Sequence, residues 1–293
     1  MKSLQRFYNV MGNENLLYHY SSFETAAAYI LPSGKLQLSP LGGSRDAIES
    51  INYFAAISHM PEGTTEDISE EINNEIRENV KIVCFSKDDK IAPEEKPGMM
   101  LARMWSQYGE NHKGVCLVFS RSKLEESFIE TYVNENSRII GDMQYDQKPF
   151  MMPQGHNNSS ITIQSHESTG MPSVIQNKFP DLMASSVMKD ILFSKVSDFS
   201  DENEYRFSYY DNSEKFIYFP FGSALKAIIL GFKTTKNQEE IIKNLCEKFR
   251  YESRLKLFKE VIESQRHISK ENIHNGGFAP YLGLSPIHMQ ISE

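Results

Sequence analysis

Leu17-Tyr18-His19-Tyr20-Ser21-Ser22, followed by a helical stretch from Phe23 to Leu31 and by Ser33-Gly34-Lys35-Leu36, is the phrase on which the reading of this chain turns. It reads as a strand, a brief helix stopped by Gly34, and a return to extended chain. His19 and Ser21 are two apart on the strand and so point to one face. A strand that ends there and passes at once into a helix makes a small polar cleft with side-chain and backbone donors. Such a cleft can hold a ribose or an amide. The same residues also fit a half-buried strand with a satisfied His and a Ser N-cap.

Composition bounds the rest. The 293 residues are 40% hydrophobic and 24% charged, an ordinary globular balance. The length suffices for one large domain, or a domain with an appendage. A net charge of −8 and a pI near 5.6 argue against indiscriminate binding to nucleic acid, which needs a positive field. No run of about 18 apolar residues predicts a membrane span. Met1 to Arg6 lack the apolar core of a signal peptide. Cys84, Cys116 and Cys246 are far apart and form no CxxC pair. Neither a disulfide framework nor a zinc site is expected, and a reducing cytoplasm fits.

Along the chain, helices are expected at Glu24 to Leu31, Arg45 to Ile57, Glu66 to Glu78, within Gly98 to Gly109, at Lys123 to Tyr132 and at Asp181 to Phe193. Strands are expected at Lys35 to Leu38, Val80 to Phe85, Gly114 to Phe119 and Ala227 to Leu230. Tyr205 to Tyr210 and Lys215 to Phe219 read as two strands of a hairpin across Asp211-Asn212-Ser213-Glu214. A long helical pattern runs from Lys236 to about Ser264. Between about 151 and 180 the period breaks down into a polar, turn-rich segment, which reads as a long loop or lid. The irregular alternation argues for α+β rather than a doubly wound sheet.

Two further clusters could carry chemistry. Trp105 and Tyr108 lie three apart on a helix, hence on one face, and could form a stacking wall for a flat ring. At that spacing they also fit ordinary core. His112 follows, just before a buried strand. Later come Lys195 and the phrase Asp201-Glu202-Asn203-Glu204-Tyr205-Arg206-Phe207. Glu204, Arg206 and Ser208 share one strand face, with Tyr205, Phe207 and Tyr209 on the other. A carboxylate beside an Arg stays ionised, able to accept from a sugar or hold a cationic transition state. The plainer alternative is an edge-strand ion pair of little energetic worth. His156, His166 and Glu167 match no metal motif. A GxSxG elbow and a Walker loop are both absent from the sequence.

Taken in order, Leu17 to Ser22, Ser39-Pro40, Cys84-Phe85-Ser86, Trp105 to Tyr108, His112 to Phe119, Met143 to Tyr145, Lys195, Glu202 to Arg206 and Leu225 to Gly231 resemble the domain of unknown function 2971 family, an uncharacterised bacterial family. The resemblance covers roughly Leu17 to Arg250. The chain departs from the family's phrases at Gln107, at Asp198-Phe199 and at Arg45-Asp46. The opening also resembles the first motif of ADP-ribosyltransferase folds. There a His on the first strand and a nearby Ser or Thr hold the ribose and nicotinamide amide of NAD, an aromatic lies against the nicotinamide, and a late-strand Glu stabilises an oxocarbenium-like transition state.

These resemblances imply an α+β fold with a single mixed or antiparallel-sheet domain of ADP-ribosyltransferase-like type, helical insertions and a long C-terminal helix. Residues 1–16 are expected to be an N-terminal extension, 17–250 the catalytic-like domain, and 251–293 the end of the last helix and a tail. The implied enzyme uses NAD as substrate and needs no metal. It transfers ADP-ribose to a protein or nucleic acid, or hydrolyses NAD, as a bacterial toxin or phage-defence effector would. Glu204 is the implied catalytic group. His19, Tyr20, Ser21, Trp105, Tyr108, His112 and Arg206 are the implied NAD contacts, with Lys195 a further candidate. His19, Tyr108, His112 and Glu204 are expected to line one concave site. A protein partner could dock through 151–180 or the tail. Two rival readings stand beside this one: a nuclease or nucleotide hydrolase using His19, His112, Lys195 and Glu204, and a non-catalytic ligand-sensing module.

Overall fold

The computed structural model describes residues 2–12, 14–43, 66–89, 97–146, 179–249, 255–263 and 281–286. The expected helix at Arg45 to Ile57 and the polar segment 151–178 lie outside the described residues. The strands are β1 (Leu16–Ser21), β2 (Lys35–Pro40), β3 (Val80–Lys87), β4 (Val115–Ser120), β5 (Arg138–Asp142), β6 (Gln144–Asp146), β7 (Ser194–Val196), β8 (Glu204–Tyr210), β9 (Ile217–Pro220), β10 (Leu225–Leu230), β11 (Lys256–Glu263) and β12 (Tyr281–Pro286). With helices interspersed and mostly antiparallel pairing, the fold is α+β. No described helix is long and apolar enough to cross a membrane.

The chain divides into two compact units. Unit 1 takes residues 1–35, 85–127 and 221–293, and unit 2 takes 36–84 and 128–220. In unit 1, β4 lies between β1 and β10, antiparallel to both, and each of its residues is buried. A strand covered on both faces needs no polar alternation, and Val115-Cys116-Leu117-Val118-Phe119 has none. β1 continues to the end of β3, with Tyr18 opposite Ser86. One face of this sheet packs Tyr18, Tyr20, Val118 and Ile229 with Trp105, Phe258 and two residues of the helix Lys2–Met11, Phe7 and Met11. Phe7 meets Phe258 edge-on at 5.1 Å. The helix Lys2–Met11 thus contributes Phe7 and Met11 to the core of unit 1.

The long C-terminal helix is a correction. The helix Lys236–Phe249 stops, and Lys256–Glu263 is β11, parallel to β10 with Leu257 opposite Ile228. Its charged residues supplied a helical period. Lys256 is nevertheless exposed between buried Leu255 and Leu257, and Phe258 is buried as well. The free edge of β10 carries backbone donors and acceptors that need partners, and β11 supplies them.

In unit 2, β8 is an interior strand between β5 and β3, and β2 links β3 to β9. Here too the structure corrects an expectation. β8 and β9 are not paired with each other, so they form no hairpin. Asp211 Oδ1 accepts from the Ser213 and Glu214 amides and from the Ser213 hydroxyl, and the Asp211 amide donates to Asn79 O. This Asx turn ties the end of β8 to the start of β3 and diverts the chain before it can return along β8. One face of β8 buries Phe207 against Phe128, at 4.9 Å, on the helix Arg121–Thr131. The other packs Tyr210 with Phe179, Leu192 and Phe193.

Leu257→Ala should cost about 2–5 kcal/mol in urea unfolding, the range for truncating a buried Leu. A change near zero would mean that this position is a helical surface site and not a buried strand position.

Candidate functional site

The implied site residues fall into two sets, one in each unit. His19, Tyr20, Ser21, Trp105, Tyr108 and His112 belong to unit 1, while Lys195, Glu204 and Arg206 belong to unit 2.

In unit 1, β1 delivers Tyr20 and His19 to opposite faces. Tyr20 is buried, edge-on to Trp105 at 5.1 Å, and its hydroxyl donates to Gly98 O at 2.6 Å. Its hydroxyl is thus taken by the backbone and not by a ligand. Trp105 is fully buried and its Nε1 donates to Met99 O at 2.9 Å, so the expected stacking wall is core. His112 stacks on Trp105 at 5.5 Å with an interplanar angle of 13°, and meets Phe232 at 4.6 Å. Tyr108 ends the helix Ala102–Gln107 and is half-buried. His19 is the one residue of β1 that is not buried, with its ring 5.6 Å from Phe85.

The end of β1 meets an unusual turn. Glu110, Asn111 and His112 are three consecutive non-glycine residues in the left-handed region, with φ of 52°, 53° and 66°. Each such residue costs on the order of 1–2 kcal/mol, less for Asn. The surroundings hold the turn in place. A Cβ on Gly114 would lie 2.2 Å from Ser21 O, and one on Gly231 would lie 2.2 Å from His112 O. Only glycine lets the three segments approach so closely. His112 O accepts from the Lys233 amide at 3.0 Å, and the Gly231 amide donates to Gly114 O at 3.0 Å. Glu110 Oε2 accepts from the Phe23 amide at 3.3 Å, just where Ser22 Oγ caps the following helix by accepting from the Thr25 amide. Sequence reading missed Glu110; its one signal is the bracketing pair Gly109 and Gly114.

A second carboxylate lies in the same unit. Asp88 accepts from Tyr8 OH at 2.8 Å, Tyr18 OH at 2.9 Å and the Gly98 amide at 2.8 Å. Burial raises its pKa against these three donors.

In unit 2, Lys195, Glu202, Glu204 and Arg206 are all buried. Lys195 Nζ donates to Glu202 Oε2 at 2.9 Å and to Glu204 Oε2 at 2.6 Å. Arg206 Nε donates to Glu204 Oε1 at 2.7 Å, and its Nη1 to Leu192 O at 2.8 Å. Burial alone would raise the pKa of Glu204; Arg206 and Lys195 outweigh it and hold the carboxyl at about 2. The Glu204 amide donates to Tyr145 OH at 2.8 Å. Both carboxylate oxygens are engaged by cations and the residue is 3% exposed. The alternative of an edge-strand ion pair does not hold, since the pair is an interior one. Glu202, which the sequence placed only in an acidic phrase, is its fourth member. Among the described residues, no group of three or more His, Cys, Asp and Glu side chains is placed to hold a metal ion.

The class so defined is an α+β protein with a buried four-charge network, two of whose members, Glu204 and Arg206, lie on one interior strand. Residues 104–207 match the model of the family described as Protein of unknown function (DUF2971). The match contains Trp105, His112 and the whole charge network. No curated protein and no solved structure matches the chain.

Removing one partner of a buried ion pair strands the others, so Glu204→Gln should destabilise the protein by about 3–5 kcal/mol in denaturant unfolding. The pH dependence follows from the lowered pKa. The folded value lies below the ordinary 4.5, so Glu204 contributes its full stability above about pH 4.5 and loses it progressively as pH falls toward about 2. Unfolding at stepped acid pH should show this loss in the wild type, and a smaller one in Glu204→Gln.

Proposed function

We propose that the protein binds NAD at the end of β1 and acts on it as an ADP-ribosyltransferase or NAD glycohydrolase. The observation that carries this reading is His19, the one residue of β1 left partly open, two positions before the buried Ser21 at the strand end. A partly exposed imidazole at a strand end can serve a ribose hydroxyl or a carboxamide, both of which need directional partners. Strained backbone beside this strand end supports a functional use, because such strain clusters at sites that bind and react.

In the reaction, the bond between the ribose C1′ and the nicotinamide nitrogen breaks and its electron pair leaves with nicotinamide. The oxocarbenium-like centre is captured by a water or by a nucleophilic oxygen or nitrogen of a protein or nucleic acid, which gives up its proton. Glu204 carries less of this reading than its sequence position suggests, because its charge is already matched by Arg206 and Lys195. That observation favours a second reading, a module that binds the nucleotide without turning it over. The nuclease reading loses Lys195, whose ammonium is held by two carboxylates.

Calorimetry with NAD and an assay of nicotinamide release, with and without cell lysate as acceptor source, separate these readings. Binding with release supports the enzyme, and binding without release supports the sensing module. His19→Ala should weaken binding about tenfold, the worth of one lost hydrogen bond of about 1–1.5 kcal/mol. Absence of binding by the wild type would overturn the proposal.

A further inference from the structure

The geometry points to Glu110 as a positioning residue that sets the affinity of the corner Ser21-Ser22-Phe23, and this rests on the NAD reading of that corner. An exposed Glu with φ of 52° is a poor choice for the turn as such, since glycine would hold that backbone without strain. Something the side chain does must offset that choice. In this structure its carboxylate accepts the amide of Phe23, the first residue after the strand end and the first of the helical run 23–33. From the other side, the chain at Gly114 presses against Ser21 O with no room for a side chain. Ser21 and Phe23 are thus gripped by the two ends of one turn, Glu110 and Gly114. Asn111 and His112 anchor that turn to the segment 231–233, through Lys233 Nζ near Asn111 Oδ1 at 3.4 Å and through His112 O.

A negative charge at the first turn of a helix is favourable in itself. The grip does more than stabilise, because it fixes the direction in which β1 ends and so the spacing between His19 and the hydroxyl and amide groups that follow it. A binding corner held in its bound geometry avoids the ordering cost on association. Loss of the grip is therefore expected in affinity before it is seen in folding. Glu110 need not touch the ligand to act in this way.

Three variants test this. Glu110→Ala removes the acceptor and keeps the strained backbone. Glu110→Gly removes the acceptor and the strain together. Glu110→Gln keeps an acceptor oxygen without the charge. NAD affinity is measured by calorimetry, and protection of the Phe23 amide by hydrogen exchange. The expected result is an affinity loss of about tenfold in Glu110→Ala and Glu110→Gly, together with loss of Phe23 protection. Glu110→Gly should be at least as stable to heat as the wild type, and Glu110→Gln should recover most of the affinity. A merely structural role would instead show affinity following thermal stability across the series. Wild-type binding with unchanged affinity in all three variants overturns this inference and leaves the NAD reading standing. No NAD binding by the wild type overturns both, whatever the variants do.

Discussion

Taking a carboxylate out of water costs several kcal/mol unless cations and donors meet it in good geometry. Unit 2 buries two carboxylates and two cations together, and its local structure is arranged around that constraint. Lys195 comes from β7, Glu202 from the turn Ser197–Glu202, and Glu204 and Arg206 from one face of β8. Asn203, with φ of 43°, turns the chain between the two glutamates, so that both reach the same ammonium. Asn tolerates that conformation better than most residues. The guanidinium of Arg206 then closes on Leu192 O at the end of the helix Ser186–Leu192, and Gly141 stands opposite Arg206 on β5. A network with so many fixed partners admits few alternative packings of these elements.

Unit 1 solves a different problem by different means. Its central strands are covered on both faces by apolar residues, and the polar atoms appear where the strands end. There the chain places a turn of three left-handed residues, held by two glycines and a set of backbone hydrogen bonds. Charge is matched internally in unit 2, whereas in unit 1 conformational strain is kept beside a half-open imidazole.

Much of the fold was legible because periodicity reports burial. The β-branched and aromatic runs at Val80 to Phe85, Gly114 to Phe119 and Ala227 to Leu230 are strands, as their patterns require. The failures share a cause, since which edge is free and which strand pairs with which are not local properties. Leu255 to Ile262 carries enough charged residues to imitate a helix, and only the open edge of β10 selects the strand. Asp211 to Glu214 has hairpin composition, but Asp211 spends its carboxylate on a turn and its amide on Asn79. Of the site residues, the alternation along β8 correctly put Glu204, Arg206 and Ser208 on one face. It could not show that this face is as deeply buried as the other. Trp105 and Tyr20 carry the side-chain types of a ligand wall, yet their polar tips meet backbone carbonyls. Side-chain type says what a residue can bind, and packing decides whether that capacity is already used.

That distinction orders the functional reading. A carboxylate that must stabilise a developing cation is most effective when its field is not already neutralised by neighbouring cations. Glu204 has two such neighbours within 2.7 Å, so its charge serves the fold of unit 2 first. Glu110 and His19 differ from it in exposure. Glu110 is exposed and holds one backbone amide, and His19 is the partly exposed residue of an otherwise buried strand. Strained backbone close to the end of that strand is a feature that clusters at sites of binding. The proposed binding site is accordingly placed at the end of β1, while the charges of the network that includes Glu204 are matched within unit 2.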